Sequence, residues 1–167
     1  MELLDIYDDN GNKTGRVIAR GDKKEVLTEH EHIAVAVIFI ENNHHEFLIQ
    51  KTSKEKGGDY SSTGGHIDHN ETPISTIIRE VEEELGITLR KDEMQDLGFI
   101  QYDMPLRYLF YAKKDILVED IKVQKKEVDY VEYKSISEIE ELIENNQMLK
   151  SHGILFHELL NKLIIHN

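Results

Sequence analysis

The order of apolar patterns along the chain predicts a sandwich of the α/β or α+β class. Three observations carry this. The run His32–Ile40 is apolar almost throughout, as a central strand covered on both faces would be. The segment from Pro73 to Leu85 repeats Ile74, Ile77, Ile78, Val81 and Leu85 at the spacing of one buried helix face. Strand-like and helix-like stretches then alternate to the end, with no internal repeat and no low-complexity linker. A chain of 167 residues is long enough for one domain with a core and short for two, so residues 1–167 read as a single domain.

The elements follow in order. Residues 1–31 read as a hairpin and a loop: Leu3 to Tyr7, a turn holding Asn10-Gly11, Thr14 to Ala19, then polar Gly21 to Glu31. The acidic turn is not a calcium loop, because a frame with Gly15 at the sixth position puts Asn10, Asn12 and Thr14 where carboxylates belong. His32 to Ile40 turns at Asn42–His45 and returns as Glu46 to Lys51, a second hairpin. Polar Thr52 to Ser62 reads as a mobile loop. Met94 to Asp103 and Leu106 to Lys113 read as strands, Ile116 to Lys126 as a charged connection and Val128 to Tyr133 as a short strand.

Residues 135–167 read as two helices. The first runs from Ser135 to Asn145, with Ser137 as N-cap and Ile139, Leu142 and Ile143 as its apolar stripe. The second runs from Gly153 to Ile165, apolar at Leu155, Phe156, Leu159, Leu160, Leu163 and Ile164.

Composition excludes several classes. With no cysteine there is no disulfide framework, thiolate zinc site or cysteine nucleophile. A formal net charge of −13 repels a nucleic-acid backbone, so duplex DNA or RNA is not an expected partner. No basic leader and no apolar stretch of membrane-spanning length is visible, so the expectation is a cytoplasmic protein with no membrane span.

The chemistry concentrates between Gly64 and Ile87. Thr72 is a good N-cap, Pro73 suits the first helical position and Gly86 suits a left-handed stop. On a wheel of about 100° per residue, Glu80, Glu83 and Glu84 fall within an arc of about 100°, read as largely opposite the apolar face. Arg79 flanks them. Glu82, Glu83 and Glu84 crowd the negative end of the helix, at a cost of roughly 0.3–1 kcal/mol for each acid. A divalent cation reverses the sign of that cost. Mg²⁺ takes oxygen ligands and leaves positions for water and phosphate, which suits pyrophosphoryl chemistry.

The full string is Gly65, five residues, Glu71, seven residues, Arg79-Glu80, an aliphatic, any residue, Glu83-Glu84, any residue, Gly86 and an aliphatic. It resembles the Nudix box of the Nudix hydrolase family at every fixed position. The resemblance implies an α/β/α sandwich with a mixed sheet and a loop–helix–loop motif. It also implies Mg²⁺- or Mn²⁺-dependent cleavage of a nucleoside diphosphate linked to another group. By position, Glu80, Glu83 and Glu84 would ligate metal, Arg79 would orient a neighbouring carboxylate, and Glu71 would support the site or a further ion. Gly64 and Gly65 would let the backbone turn tightly near the metal. Glu127, six residues before Tyr133, is similar to a further loop glutamate of some members and is the candidate fourth ligand or general base. Glu132 is its nearest rival, and Glu80 the alternative base.

Outside the box the N-terminal hairpin, the His32 strand, Leu48–Lys51 and Ser61–His66 resemble the branch related to isopentenyl-diphosphate isomerase. There the position of Gly64 holds a catalytic cysteine, and histidines matching His32 and His66 serve its metal site. This chain has both histidines and no cysteine, which disfavours isomerase activity. His32 and His66 stay open as residues of a metal site, His66, Lys56 and Tyr60 are candidate substrate contacts, and His44, His45 and His69 read as solvated turn residues. The third reading is a non-catalytic nucleotide-binding module. Substrate identity is open, and so is oligomeric state, a homodimer included.

Overall fold

The computed structural model describes residues 2–22 and 26–166, and the side chains of 164–166 are left aside. Residues 23–25 of the predicted loop Gly21–Glu31, and the side chain of Ile164 in the predicted apolar stripe, lie outside what is described.

The centre of the molecule is β3 (Ala34–Glu41), every residue of which is buried. Its even-numbered residues Ala34, Ala36, Ile38 and Ile40 join one core with Ile77, Val81 and Leu85 of helix α1 (Pro73–Leu85). Its odd-numbered Val37 and Phe39 join a second core with helices α2 (Ile136–Glu144) and α3 (Lys150–His166). A strand whose two faces both meet helices has no polar alternation, which explains the continuous apolar run. The result is an α/β/α sandwich, as the sequence predicts.

The sheet is mixed. Strand β8 (Leu106–Lys113) runs parallel to β3 in unbroken register from Ala34↔Leu106 to Glu41↔Lys113. On the other edge of β3 lies β6 (Thr63–His66), antiparallel, with Val37 opposite Gly64 and Ala36 opposite Gly65. Strand β7 (Gln95–Gln101) extends the sheet beyond β8. The predicted second hairpin is only partly a ladder. Strand β4 (Phe47–Thr52) pairs β3 at Glu41↔Phe47 alone, then splays away to pair β9 (Val128–Lys134) and β5 (Tyr60–Ser61). The glycines of β6 come close enough to take its place beside β3.

The N-terminal hairpin forms a sheet of its own, β1 (Leu3–Tyr7) against β2 (Lys13–Ala19). Asp8 Oδ1 accepts from Asn10 N at 2.9 Å and Asn12 N at 3.0 Å, so the acidic turn is closed by its own carboxylate. Leu4, Ile6, Ile18 and Ile33 form a small separate core beneath it.

Four local expectations are corrected. Thr52 to Ser62 is not a featureless loop, since it holds a 3₁₀ turn at Lys54–Lys56 and the strand β5. The N-cap of α2 is Ser135 rather than Ser137: Ser135 Oγ accepts Glu138 N at 3.2 Å while Glu138 Oε1 accepts Ser135 N at 2.9 Å. Helix α3 begins at Lys150, so Gly153 lies inside it, where a Cβ would come 3.2 Å from Ile143 Cγ1. His69 is not simply solvated, since its Nδ1 lies 2.8 Å from Asp5 Oδ1.

Candidate active site

Helix α1 begins as its sequence dictates. Thr72 Oγ1 accepts Ser75 N at 3.1 Å, Ser75 Oγ accepts Thr72 N at 2.9 Å, and Pro73 occupies the first turn. It ends at Gly86, whose φ of 68° no branched side chain adopts comfortably. The charged connection then caps the last turn: Gln124 N donates to Glu84 O and Lys122 N to Leu85 O, both at 3.0 Å. These bonds satisfy orphan carbonyls and bring Gln124 and Glu127 beside the acids of the helix. Ser53 completes the wall by donating N–H to Glu127 O at 3.0 Å and Oγ–H to Lys126 O at 2.7 Å.

The resulting cleft has a volume of about 500 Å³. Glu80, Glu83, Glu84 and Arg79 line one side and Lys56, Gln124 and Glu127 another, with Gly64, Gly65 and His66 of β6 between them. Nine of the predicted site residues thus meet here. Tyr60 and Glu71 do not line it. The Tyr60 ring belongs to β5, where it packs edge-on to Tyr130 with its hydroxyl 2.9 Å from Tyr130 Oη and Lys51 Nζ 4.7 Å from its centroid. His32 is also elsewhere: its Nδ1 lies 2.8 Å from Met104 O and its Nε2 2.6 Å from Asp9 Oδ1, so both ring nitrogens are engaged.

The acids do not sit opposite the apolar face. Glu84 follows Ile77 by seven residues, so it lies only about 20° from it on the wheel, and Glu80 about 60° from it. Glu84 is accordingly buried, and the Glu80 side chain is 14% exposed against 51% for Glu83. Burial pushes the Glu80 carboxyl up to about 7 against the pull of Arg79. Burial, reinforced by the Glu80 charge, pushes Glu84 up to about 8, while a hydrogen bond with Gln50 acts the other way.

Arg79 is the hub. Its Nε donates to Glu71 Oε2 at 2.7 Å and its Nη2 to Glu71 Oε1 at 2.9 Å, a two-bond clasp. Its Nη1 reaches Glu80 Oε1 at 2.9 Å and Glu83 Oε2 at 3.3 Å. Hydrogen bonds from Arg79 hold Glu71 below the usual carboxylate range. With Thr76 Oγ1 and Asp68 N also donating to it, Glu71 is occupied as a brace.

The two glycines are needed for a different reason from the one the sequence suggests. Both lie in a strand rather than a turn, and neither has a left-handed φ. A Cβ on Gly64 would come 2.2 Å from Ala36 O, and one on Gly65 would come 2.4 Å from Glu80 Oε1. Close approach, of backbone to backbone and of backbone to carboxylate, is what excludes a side chain.

The residues suit a divalent cation. Among the described residues three buried side-chain polar atoms lack a hydrogen-bond partner, and two of them, Asp68 Oδ1 and Glu84 Oε2, are carboxylate oxygens of cleft-lining residues. Buried anionic oxygens without donors are costly unless a cation meets them. Among the described residues no three such groups yet surround one point. Closing a coordination shell therefore requires rotation of an exposed carboxylate such as Glu83, or oxygens from water and substrate.

The sequence reading passes over Asp68, Gln124, Glu2 and Arg20, which also line the cleft. Asp68 sits in the five-residue gap after Gly65, where the box specifies nothing. The other three arrive by tertiary docking and have no local signal.

Comparison with known proteins agrees with this geometry. The family model of the NUDIX domain matches residues 30–152. An uncharacterised Nudix hydrolase of Listeria monocytogenes is 29% identical over 154 residues, 89% of each chain. The 8-oxo-dGTP diphosphatase of Proteus vulgaris is 34% identical over 89 residues, 53% of this chain and 72% of that one. Among solved structures, DR0079 of Deinococcus radiodurans superposes with a TM-score of 0.73 at 17% identity, covering 93% of this chain and 98% of that one. The chain belongs to the NUDIX family, and it is a hydrolase acting on pyrophosphate bonds.

Proposed function

We propose that this NUDIX-family hydrolase cleaves a diphosphate linkage in a nucleoside diphosphate derivative, of the nucleotide, nucleotide-sugar or dinucleotide class, with Mg²⁺ or Mn²⁺. The observation that carries the metal requirement is the unpartnered oxygen of Glu84, buried beside Glu80. Glu80, Glu83 and Glu84 would hold the cation, which supplies charge neutralisation on the diphosphate and a more acidic attacking water. The nucleotide class is supported by the Proteus relative, a diphosphatase of a modified nucleotide.

Each side chain then has a distinct task. Arg79, fixed by Glu71, holds Glu80 and Glu83 in place. Glu127 faces the cleft with Lys56 Nζ 3.4 Å from its Oε1, and it accepts the proton of the attacking water, with Glu80 as the alternative base. Lys56 neutralises the departing phosphate. The hairpin and the C-terminal helices work with the box as one domain.

The test is a panel of nucleoside di- and triphosphates, nucleotide sugars, dinucleoside polyphosphates and ADP-ribose, with Mg²⁺ or Mn²⁺, read as released phosphate or pyrophosphate. Glu83→Gln is expected to abolish turnover of the best substrate, and unchanged turnover would overturn the assignment. Tight binding with no product from any member would favour the non-catalytic module.

A further inference from the structure

The N-terminal hairpin lies outside the residues matched by the NUDIX model, yet it reaches the cleft. Two of its residues, Glu2 and Arg20, line the wall beside Asp68 and Glu80. The hairpin is fastened there. Asp5, 5% exposed, receives Lys13 Nζ at 3.0 Å and Asn70 N at 3.0 Å, with His69 Nδ1 at 2.8 Å. Lys13 Nζ also donates to Glu71 O, and His69 N donates to Leu3 O at 2.8 Å. A buried carboxylate with this many donors is a rigid joint between β1–β2 and the loop that precedes α1.

Count the cations that can meet a phosphate. Arg79 lines the cleft, but its guanidinium is committed to Glu71, Glu80 and Glu83. Among the described residues two other cleft-lining cations have side chains that water reaches, Arg20 at 49% exposure and Lys56 at 53%. Each is held by one rim carboxylate: Arg20 Nη1 lies 2.9 Å from Glu2 Oε2, and Lys56 Nζ 3.4 Å from Glu127 Oε1. Exposed pairs of this kind are weak, so a phosphate can displace the carboxylate. Burial pushes the Asp68 and Glu80 carboxyls up, and the Arg20 charge is among the smaller influences that oppose it. A planar guanidinium offers a phosphate two parallel donors, which a lysine cannot.

We propose that Arg20 is a specificity-determining residue of the hydrolytic site: it exchanges Glu2 for phosphate oxygens of the substrate, so the hairpin forms one wall of the phosphate subsite. Glu2 keeps the guanidinium extended over the cleft until substrate arrives. This rests on the hydrolase reading above and adds a phosphate contact from outside the NUDIX-matched region.

The experiment uses the full chain. Binding of α,β-methylene ADP, a diphosphate analogue that resists cleavage, is measured calorimetrically with Mg²⁺, alongside kinetics on the best substrate of the panel. Arg20→Gln is expected to weaken analogue binding and raise KM by about tenfold, with kcat changing much less, because the contact is made equally in ground and transition states. Arg20→Lys recovers only part of the loss. Glu2→Gln tightens binding when Arg20 is present and has no effect on the Arg20→Gln background, a dependence that a merely structural role of the hairpin would not produce.

If wild type cleaves substrate and Arg20→Gln leaves both binding and KM within twofold, the inference falls and the hydrolase reading stands. Arg20-dependent binding with no cleavage of any panel member overturns the hydrolase reading and leaves the inference. Neither binding nor cleavage overturns both.

Discussion

Gly65 lies directly against Glu80, so that a single carbon added to it would sit 2.4 Å from the Glu80 carboxylate oxygen. A carbon added to its neighbour Gly64 would meet backbone instead, 2.2 Å from Ala36 O. The obstacle at Gly65 is the far end of a flexible side chain and can swing away. The obstacle at Gly64 is a strand and cannot. Gly65→Ala is therefore expected to fold with a stability change below about 1 kcal/mol yet lose about 100-fold in kcat/KM by misplacing Glu80. Gly64→Ala is expected to destabilise by about 3 kcal/mol or more, through displacement of β6 from β3. Thermal melts and kinetics on the two variants check this, and equal losses of stability would refute it.

The Arg79–Glu71 clasp makes a separate prediction. Glu71 lies outside the cleft, so its effect on activity runs through Arg79. An amide at 71 can accept only one of the two guanidinium bonds, and Arg79 is then free to lean further onto Glu80 and Glu83. Glu71→Gln is expected to lower kcat by about 10- to 100-fold, as loss of a supporting hydrogen-bond partner commonly does. Arg79→Lys, which cannot bridge three carboxylates from one plane, should do the same. Steady-state kinetics on folded protein decide, and an unchanged kcat in Glu71→Gln would remove the clasp from the mechanism.

Glu84 predicts opposite signs for stability and activity. Its carboxyl titrates near 8 because burial disfavours the anion, so above that pH the metal-free protein carries a buried charge with one unpartnered oxygen. Glu84→Gln removes that charge. Metal-free Glu84→Gln is expected to melt higher than metal-free wild type above pH 8, by the equivalent of about 1 kcal/mol. It should also gain little from saturating Mg²⁺, whereas wild type gains by mass action. Melting curves with and without Mg²⁺ measure both effects. A variant that melts lower in the metal-free state and still responds fully to Mg²⁺ would contradict this account.

What could be read from the sequence follows from how local each determinant is. The caps of α1 are set by residues within one turn, Thr72, Pro73, Ser75 and Gly86, and the sequence reading matches the structure. The two-faced burial of β3 is likewise written in its own residues. The sequence alone does not separate Ser135 from Ser137, two residues apart, as the cap of α2, because only the reciprocal bond from Glu138 distinguishes them. The orientation of the acids is no more legible. Glu84 lies beside Ile77 on the helix, yet its charge points to solvent, and the neighbours it meets when buried, Gln50 and Glu127 among them, come from distant parts of the chain. The hairpin itself is read correctly from its Asn10-Gly11 turn, but its docking beside the cleft, and the placement of Tyr60 away from it, are not legible. Their positions depend on contacts such as Asp5 with His69, 64 residues apart, and Tyr60 with Tyr130, 70 apart, which no spacing rule encodes.

A last prediction concerns His152, which joins α3 to the approach to the site. Its Nδ1 accepts the backbone N–H of Ser62 at 3.0 Å, just before β6 begins, so that nitrogen must be unprotonated. Burial, with a smaller contribution from the Arg107 charge, pushes the imidazole down to about 4. A base depressed in the fold stabilises the protein above its unfolded value near 6.5, and that contribution is lost as pH falls from about 6.5 through 4. The shift sets an upper bound of about 3 kcal/mol, reduced because the residue as a whole is only partly buried. Metal-free wild type should therefore lose stability over this window more steeply than His152→Gln, whose side-chain oxygen can still accept from Ser62 and does not titrate. Urea denaturation at pH 7, 5.5 and 4 compares the slopes, and identical slopes would show that His152 is not the group responsible. Because Ser62 precedes Thr63 and the two glycines that position Glu80, protonating His152 loosens the strand that the active-site carboxylates pack against. Acid should for this reason weaken hydrogen-exchange protection of the Gly64 and Gly65 amides before it exposes the core of β3.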